Sequence, residues 1–152
     1  MYSANQIGAY ILQKCIEDSM PINVHQLSHI MYLIAEETVR ETPIFNAIFE
    51  LGGFGPICLD VYYDYYPYGM MPINQVEHRI LLNLPPEKSI PEVDKIILKY
   101  RGNSLKQLVE KVNTEGGFYP YMKKMNQEDP TQNSSFDVFA VKKFYTNKKK
   151  RA

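Results

Sequence analysis

The sequence predicts a mainly α fold, a single compact helical domain with a small two-stranded β element. Three observations predict it. Apolar residues recur at helical spacing in several separate stretches, proline and glycine punctuate the chain between those stretches, and residues 44–51 are the one clearly β-prone run. A length of 152 residues with 45% hydrophobic residues supports one domain of common size with a substantial core.

The elements follow in order. Ser3 fits an N-cap, and Ala4, Ile7, Gly8, Ile11 and Cys15 then repeat at helical spacing, with Leu12 and Ile16 widening the stripe. Met20-Pro21 ends this helix, because a residue before proline is pushed out of the α region. Asn23 caps a second helix with Leu27, Ile30, Met31, Ile34 and Thr38 buried and Glu36, Glu37, Arg40 and Glu41 solvated; Thr42-Pro43 stops it. The short connection makes these two helices an antiparallel pair. Residues 44–51 read as one strand or extended segment. Gly52, Gly53 and Gly55 then form a turn, and Pro56 fits the first position of a helix from Ile57 to Tyr66, ended by Pro67.

Residues 69–89 fit either a helical turn or a short strand pairing with 44–51. Ser89-Ile90-Pro91-Glu92 starts a helix with Val93, Ile96, Ile97 and Tyr100 inward and Gly102 just past its end. Ser104 caps another, with Gln107 completing a capping box and Leu105, Leu108, Val109 and Val112 inward. Gly116-Gly117 breaks it, and a further helix runs from Phe118 to about Met125. Residues 126–135 form a polar loop, Phe136–Tyr145 packs as a strand or a helix, and Asn147–Ala152 is a mobile basic tail. The expected organisation is therefore a helical domain over 1–125, with loop, packing segment and tail over 126–152.

Composition excludes several classes. No stretch approaches the ~20 apolar residues of a membrane span. No basic segment followed by an apolar run opens the chain, so no secretory signal is expected. Two cysteines are too few for a disulfide framework, which fits a cytoplasmic protein. Net charge is zero but unevenly spread: residues 1–94 carry −8 and residues 95–152 carry +8. Either the two halves attract one another, or one face receives a charged macromolecule.

The chemistry-bearing residues are sparse. His25 and His29 share a helix face, but Gln26 stands where a zinc protease carries its glutamate base, and both histidines are expected to be partly exposed. Cys15 lies on an apolar stripe and reads as a structural thiol. Cys58, one turn inside a helix N-terminus, is the cysteine better placed to lose its proton. The glycine turn lacks the lysine and Ser/Thr of a phosphate-binding loop. No catalytic residue, metal or cofactor is expected, and the chain is not read as an enzyme.

The strongest feature is aromatic. Phe54, Tyr62, Tyr63, Tyr65, Tyr66 and Tyr68 place six rings within 15 residues, and a ten-residue helix cannot bury them all. Exposed tyrosines favour interfaces. Asp60 and Asp64 interleave with the rings, so a basic protein suits this surface better than nucleic acid, whose phosphates need Lys or Arg. The basic tail touches nucleic acid weakly at most.

Four stretches together resemble the Panacea domain, the SocA-like antitoxin and phage-associated protein family of bacteria and their phages. They are Ala4-Asn5-Gln6-Ile7 with Tyr10-Ile11; Leu27 through Leu33 with Leu27 and Tyr32 matching; Gly55-Pro56 followed by Val61-Tyr62 and Tyr68-Gly69; and Leu108 through Phe118 with Glu115. Gly52 and Phe118 stand where tryptophan is usual, and Asn113 where histidine is usual. The resemblance covers roughly residues 2–125. It implies a mainly helical fold, no enzymatic activity, and an antitoxin that neutralises a cognate toxin by direct binding. It also implies, as alternatives, an adaptor delivering its partner to a protease, or a phage-encoded regulatory binding protein. The residues expected to meet the partner are Phe54, Gly55, Pro56, Tyr62, Tyr63, Tyr66 and Tyr68. Neither a membrane nor nucleic acid is an expected partner.

Overall fold

The computed structural model describes residues 1–38 and 42–151; Val39, Arg40, Glu41 and Ala152 lie outside the described residues. The order is β1 (Tyr2–Ser3), α1 (Ala4–Glu17), α2 (Val24–Glu37), β2 (Phe45–Asn46), β3 (Ile48–Leu51), β4 (Pro56–Cys58), α3 (Leu59–Tyr65), a 3₁₀ turn (Tyr66–Tyr68), α4 (His78–Asn83), α5 (Pro91–Tyr100), α6 (Leu105–Val112), α7 (Phe118–Glu128), β5 (Ser135–Asp137) and α8 (Val138–Arg151). The mainly α expectation holds. The β component is larger than expected: β1 pairs in parallel with β2, and a separate antiparallel sheet runs β4-β3-β5. Among the described residues no helix is long and apolar enough to cross a membrane.

Local chemistry starts three helices as expected. Ser3, Asn23 and Ser104 each accept a hydrogen bond from the backbone N–H three residues on, and the side-chain oxygens of Gln6, Gln26 and Gln107 accept one from the cap N–H in turn. Helix α1 stops at Glu17, three residues before Met20, where Asp18 closes it and Ser19 turns left-handed (φ 56°).

Helix α2 is the axis of the molecule. It packs against α1, α3, α5, α6, α8 and β4, and Leu27 through Ala35 are all buried. A helix buried all round reads as core on every face. Ser28 and His29 are therefore inside, and the expectation of partly exposed histidines fails for His29. Glu36, expected in solvent, is half-buried. Burial raises its pKa, against the opposing pull of the Tyr32 and Tyr145 hydroxyls. Glu37 bonds Lys99 at 2.7 Å and accepts from the Tyr100 hydroxyl, and Asp18 pairs with Arg101. These ion pairs join the acidic first half to the basic second half.

The three-stranded sheet presents one apolar face inward. Phe49 sits between Cys58 and Phe136 in register, while its neighbours Ile48 and Glu50 are exposed. Phe49 stacks on Phe136 at 5.5 Å, and Tyr32 of α2 meets both rings edge-on at 6.1 and 6.0 Å. Phe118 closes on Phe136 from α7 at 4.9 Å.

Two expectations need correction here. Residues 56–58 are strand, so α3 begins at Leu59 and not at Ile57. Strand β4 is an edge strand of the sheet, and its first position is one where a missing N–H costs no ladder bond, so proline fits there as well as at a helix start. The segment expected to be a mobile tail is instead, as far as Arg151, the continuation of α8. The Phe136–Tyr145 stretch resolves as strand then helix, and Phe144 and Tyr145 pack on the core from α8, with lysine a good helix former beyond them.

Candidate docking site

The aromatic cluster divides by burial. Phe54, Tyr63 and Tyr66 are 54%, 66% and 56% exposed, Tyr62 and Tyr68 are half-buried, and Tyr65 is buried. Gly55 and Pro56, expected to meet a partner, are buried. Both shape the hairpin: Gly55 ends the turn and Pro56 pairs with Leu51 in the ladder, so neither offers contact surface.

A mount beneath the rings holds them. The β3–β4 hairpin closes with Gly52 and Gly55 exchanging backbone hydrogen bonds at 2.9 and 3.3 Å, leaving Gly53 and Phe54 at its tip. Gly55 carries the positive φ (136°), and a Cβ there would overlap the His29 ring. His29 Nε2 lies 3.0 Å from the Phe54 carbonyl oxygen and Nδ1 lies 2.7 Å from the His25 carbonyl oxygen. The Cys58 N–H donates to Ser28 Oγ at 3.1 Å. Two adjacent polar residues of α2 thus anchor the hairpin, one at its tip and one at its base. Helix α3 is seated by a close approach: a Cβ on Gly8 of α1 would stand 2.5 Å from Val61 Cγ1, so only glycine lets α3 settle there.

On this mount the rings form a continuous surface. His25 meets Phe54 at 5.3 Å and Tyr62 at 6.0 Å; Tyr62 meets Tyr63 at 6.1 Å and stacks on Tyr66 at 6.3 Å. Asp60 is exposed and Asp64 half-buried among them. Arg79 of α4 donates to the Asp64 carbonyl and lies 5.9 Å over the Tyr65 ring, which leaves the side-chain charge of Asp64 unpaired by it. Sequence reasoning missed His25 as the ring joining hairpin to α3. The i, i+4 spacing of the two histidines was the available signal, but it names no partner.

Neither thiol suits nucleophilic chemistry. Burial pushes Cys58 up to about 12 and Cys15 up to about 11, so both are protonated at neutral pH. Cys58 caps α3 from inside the sheet, and its desolvation outweighs the helix terminus expected to lower it. Among the described residues no group of three or more His, Cys, Asp or Glu is placed to hold a metal ion.

His29 gives the mount a pH dependence. Burial, the largest influence, lowers its pKa below 6.5, against the pull of the two carbonyl contacts, and His25 adds to the lowering. The folded state then binds fewer protons than the unfolded chain near pH 6, so stability is full above about 6.5 and falls as the medium is acidified. The urea midpoint of the wild type is expected to drop more steeply from neutral pH to pH 5 than that of His29→Gln, whose amide keeps a donor and never charges. Parallel profiles would contradict this.

Compared with protein-family models, curated proteins and solved structures, the chain matches none.

Proposed function

We propose that this chain is a protein-binding module, and that the ring surface of Phe54, Tyr62, Tyr63 and Tyr66, edged by Tyr68, docks a basic protein. The observation that carries the reading is the joint exposure of Phe54, Tyr63 and Tyr66 on a rigid, hydrogen-bonded mount. Large aromatic side chains held in one place lose little conformational freedom on binding, and they supply most interface hot spots. The carboxylates of Asp60 and Asp64 between the rings attract a positive surface and repel phosphates. In line with the sequence resemblance, the partner is a toxin encoded beside this chain, sequestered by direct contact. The chain has no catalytic step in this reading.

Co-expression with the product of the neighbouring gene tests it. The wild type is expected to co-purify with that product and restore growth. Alanine at Phe54, Tyr63 or Tyr66 is each expected to weaken binding by about 2 kcal/mol, roughly 30-fold, with stability within about 0.5 kcal/mol of wild type. Unchanged affinity in all three variants, or unaltered toxicity with the wild type, would overturn the reading. A shortened half-life of the bound partner would redirect it toward the adaptor role.

A further inference from the structure

A second aromatic surface lies between α7 and α8, with the opposite charge. Phe118 and Phe144 line the floor of a groove of about 530 Å³, and Tyr121, Lys143, Asn147 and Lys148 stand exposed at its rim. Tyr121 is 46% exposed, with its ring 5.1 Å from that of Phe144 at a shallow 32° tilt. Lys148 is fixed at the groove's edge, its Nζ donating to the Gly116 carbonyl at 2.6 Å and lying 6.0 Å over the Phe144 ring. Two of its three N–H donors stay available. Among the described residues no acidic side chain lines the groove, and the α8 segment contains no Asp or Glu. Lys142, by contrast, turns inward to Thr38 and takes no part.

We propose that this groove binds single-stranded nucleic acid, with a base stacked on Tyr121 and the flanking phosphates on Lys143 and Lys148. The chemistry distinguishes this surface from the hairpin patch. Bases need an exposed flat ring, and phosphates need cations beside it; Tyr121 and the two lysines supply both, and carboxylates are absent from the groove among the described residues. The exposed ring beside the lysines suits a base together with its phosphates, whereas an acidic peptide would engage the lysines and leave the ring unused. The lysines are ordered on a helix beside the rings, so they act with the rings and not as a diffuse charge.

Fluorescence anisotropy with a labelled oligothymidylate of about 15 nucleotides, near the upper site size of one small binding fold, tests the proposal on the full chain. Binding is expected below about 100 µM and is expected to weaken as salt rises from about 50 to 200 mM, since phosphate contacts release counterions. Tyr121→Ala is expected to weaken binding about tenfold and Tyr121→Phe to leave it intact, because stacking needs the ring and not the hydroxyl. Lys143→Glu with Lys148→Glu is expected to abolish binding at the higher salt. Alanine at Tyr63 and Tyr66 is expected to leave it unchanged, which separates this surface from the proposed protein site. Three results would overturn the proposal: no anisotropy change up to about 100 µM; equal affinity for Tyr121→Ala and wild type; or displacement of the oligonucleotide by oligoglutamate at matched charge concentration, which would assign the groove to acidic peptides. Thermal melts of each variant establish that it is folded.

Discussion

Phe49→Ala is expected to lower the unfolding free energy by about 3–5 kcal/mol. Phe49 is fully buried at the centre of the sheet, flanked in register by Cys58 and Phe136. Its ring stacks on Phe136 and receives the edge of Tyr32. Removing it opens a cavity where α2 and the sheet meet, and the rings around it are held by other neighbours and cannot collapse into the space. For a chain of this length each kcal/mol moves the melting temperature by about 2–4 °C, so the midpoint should fall by about 6–20 °C. Ile48→Ala, one residue away and 53% exposed, is the control, expected within about 0.5 kcal/mol of wild type. Urea and thermal unfolding of the two variants check this; comparable shifts in both would mean that the sheet face is not the core.

Gly55→Ala is expected to cost about 2–6 kcal/mol. A φ of 136° is closed to residues with a Cβ, which strains the backbone by about 1–3 kcal/mol. The new methyl also overlaps the His29 ring. That ring cannot swing aside without losing both carbonyl contacts, so overpacking adds about 1–3 kcal/mol. Gly53→Ala is the matched control, because a Cβ there meets nothing within 4 Å. The substitution is expected to displace Phe54 as well. Binding through the ring surface should therefore fall in Gly55→Ala although no contacting side chain has changed, and should persist in Gly53→Ala.

Much of the fold was legible because it is written locally. Ser3-Gln6, Asn23-Gln26 and Ser104-Gln107 start helices through bonds within one turn, and the spacing of Val93, Ile96, Ile97 and Tyr100 sets the inward face of α5 without reference to distant residues. What depended on distant partners was not legible. Ser28 and His29 look like polar interruptions of a stripe, and only the hairpin that reaches them from residues 54 and 58 explains their burial. Pro56 satisfies the requirements of a helix start and of an edge strand alike, and only the pairing with Leu51 decides between them. The C-terminal lysines resemble a solvated tail until Phe144 and Tyr145 are seen packing against the core. In the candidate site, the density of rings and the interleaved aspartates were visible in the sequence. Which rings face outward was not, because burial of Tyr65 and exposure of Tyr63 and Tyr66 depend on how Gly8 seats α3.

The most direct test of the docking claim is an oxidative footprint of the chain alone and with the neighbouring gene's product, followed residue by residue. Protection across the ring surface, greatest at Phe54, Tyr63 and Tyr66 and extending to half-buried Tyr62 and Tyr68, with exposed Tyr121 and Phe139 on α7 and α8 unchanged, is the result predicted. A stable complex that leaves those three rings as reactive as in the free chain would contradict it.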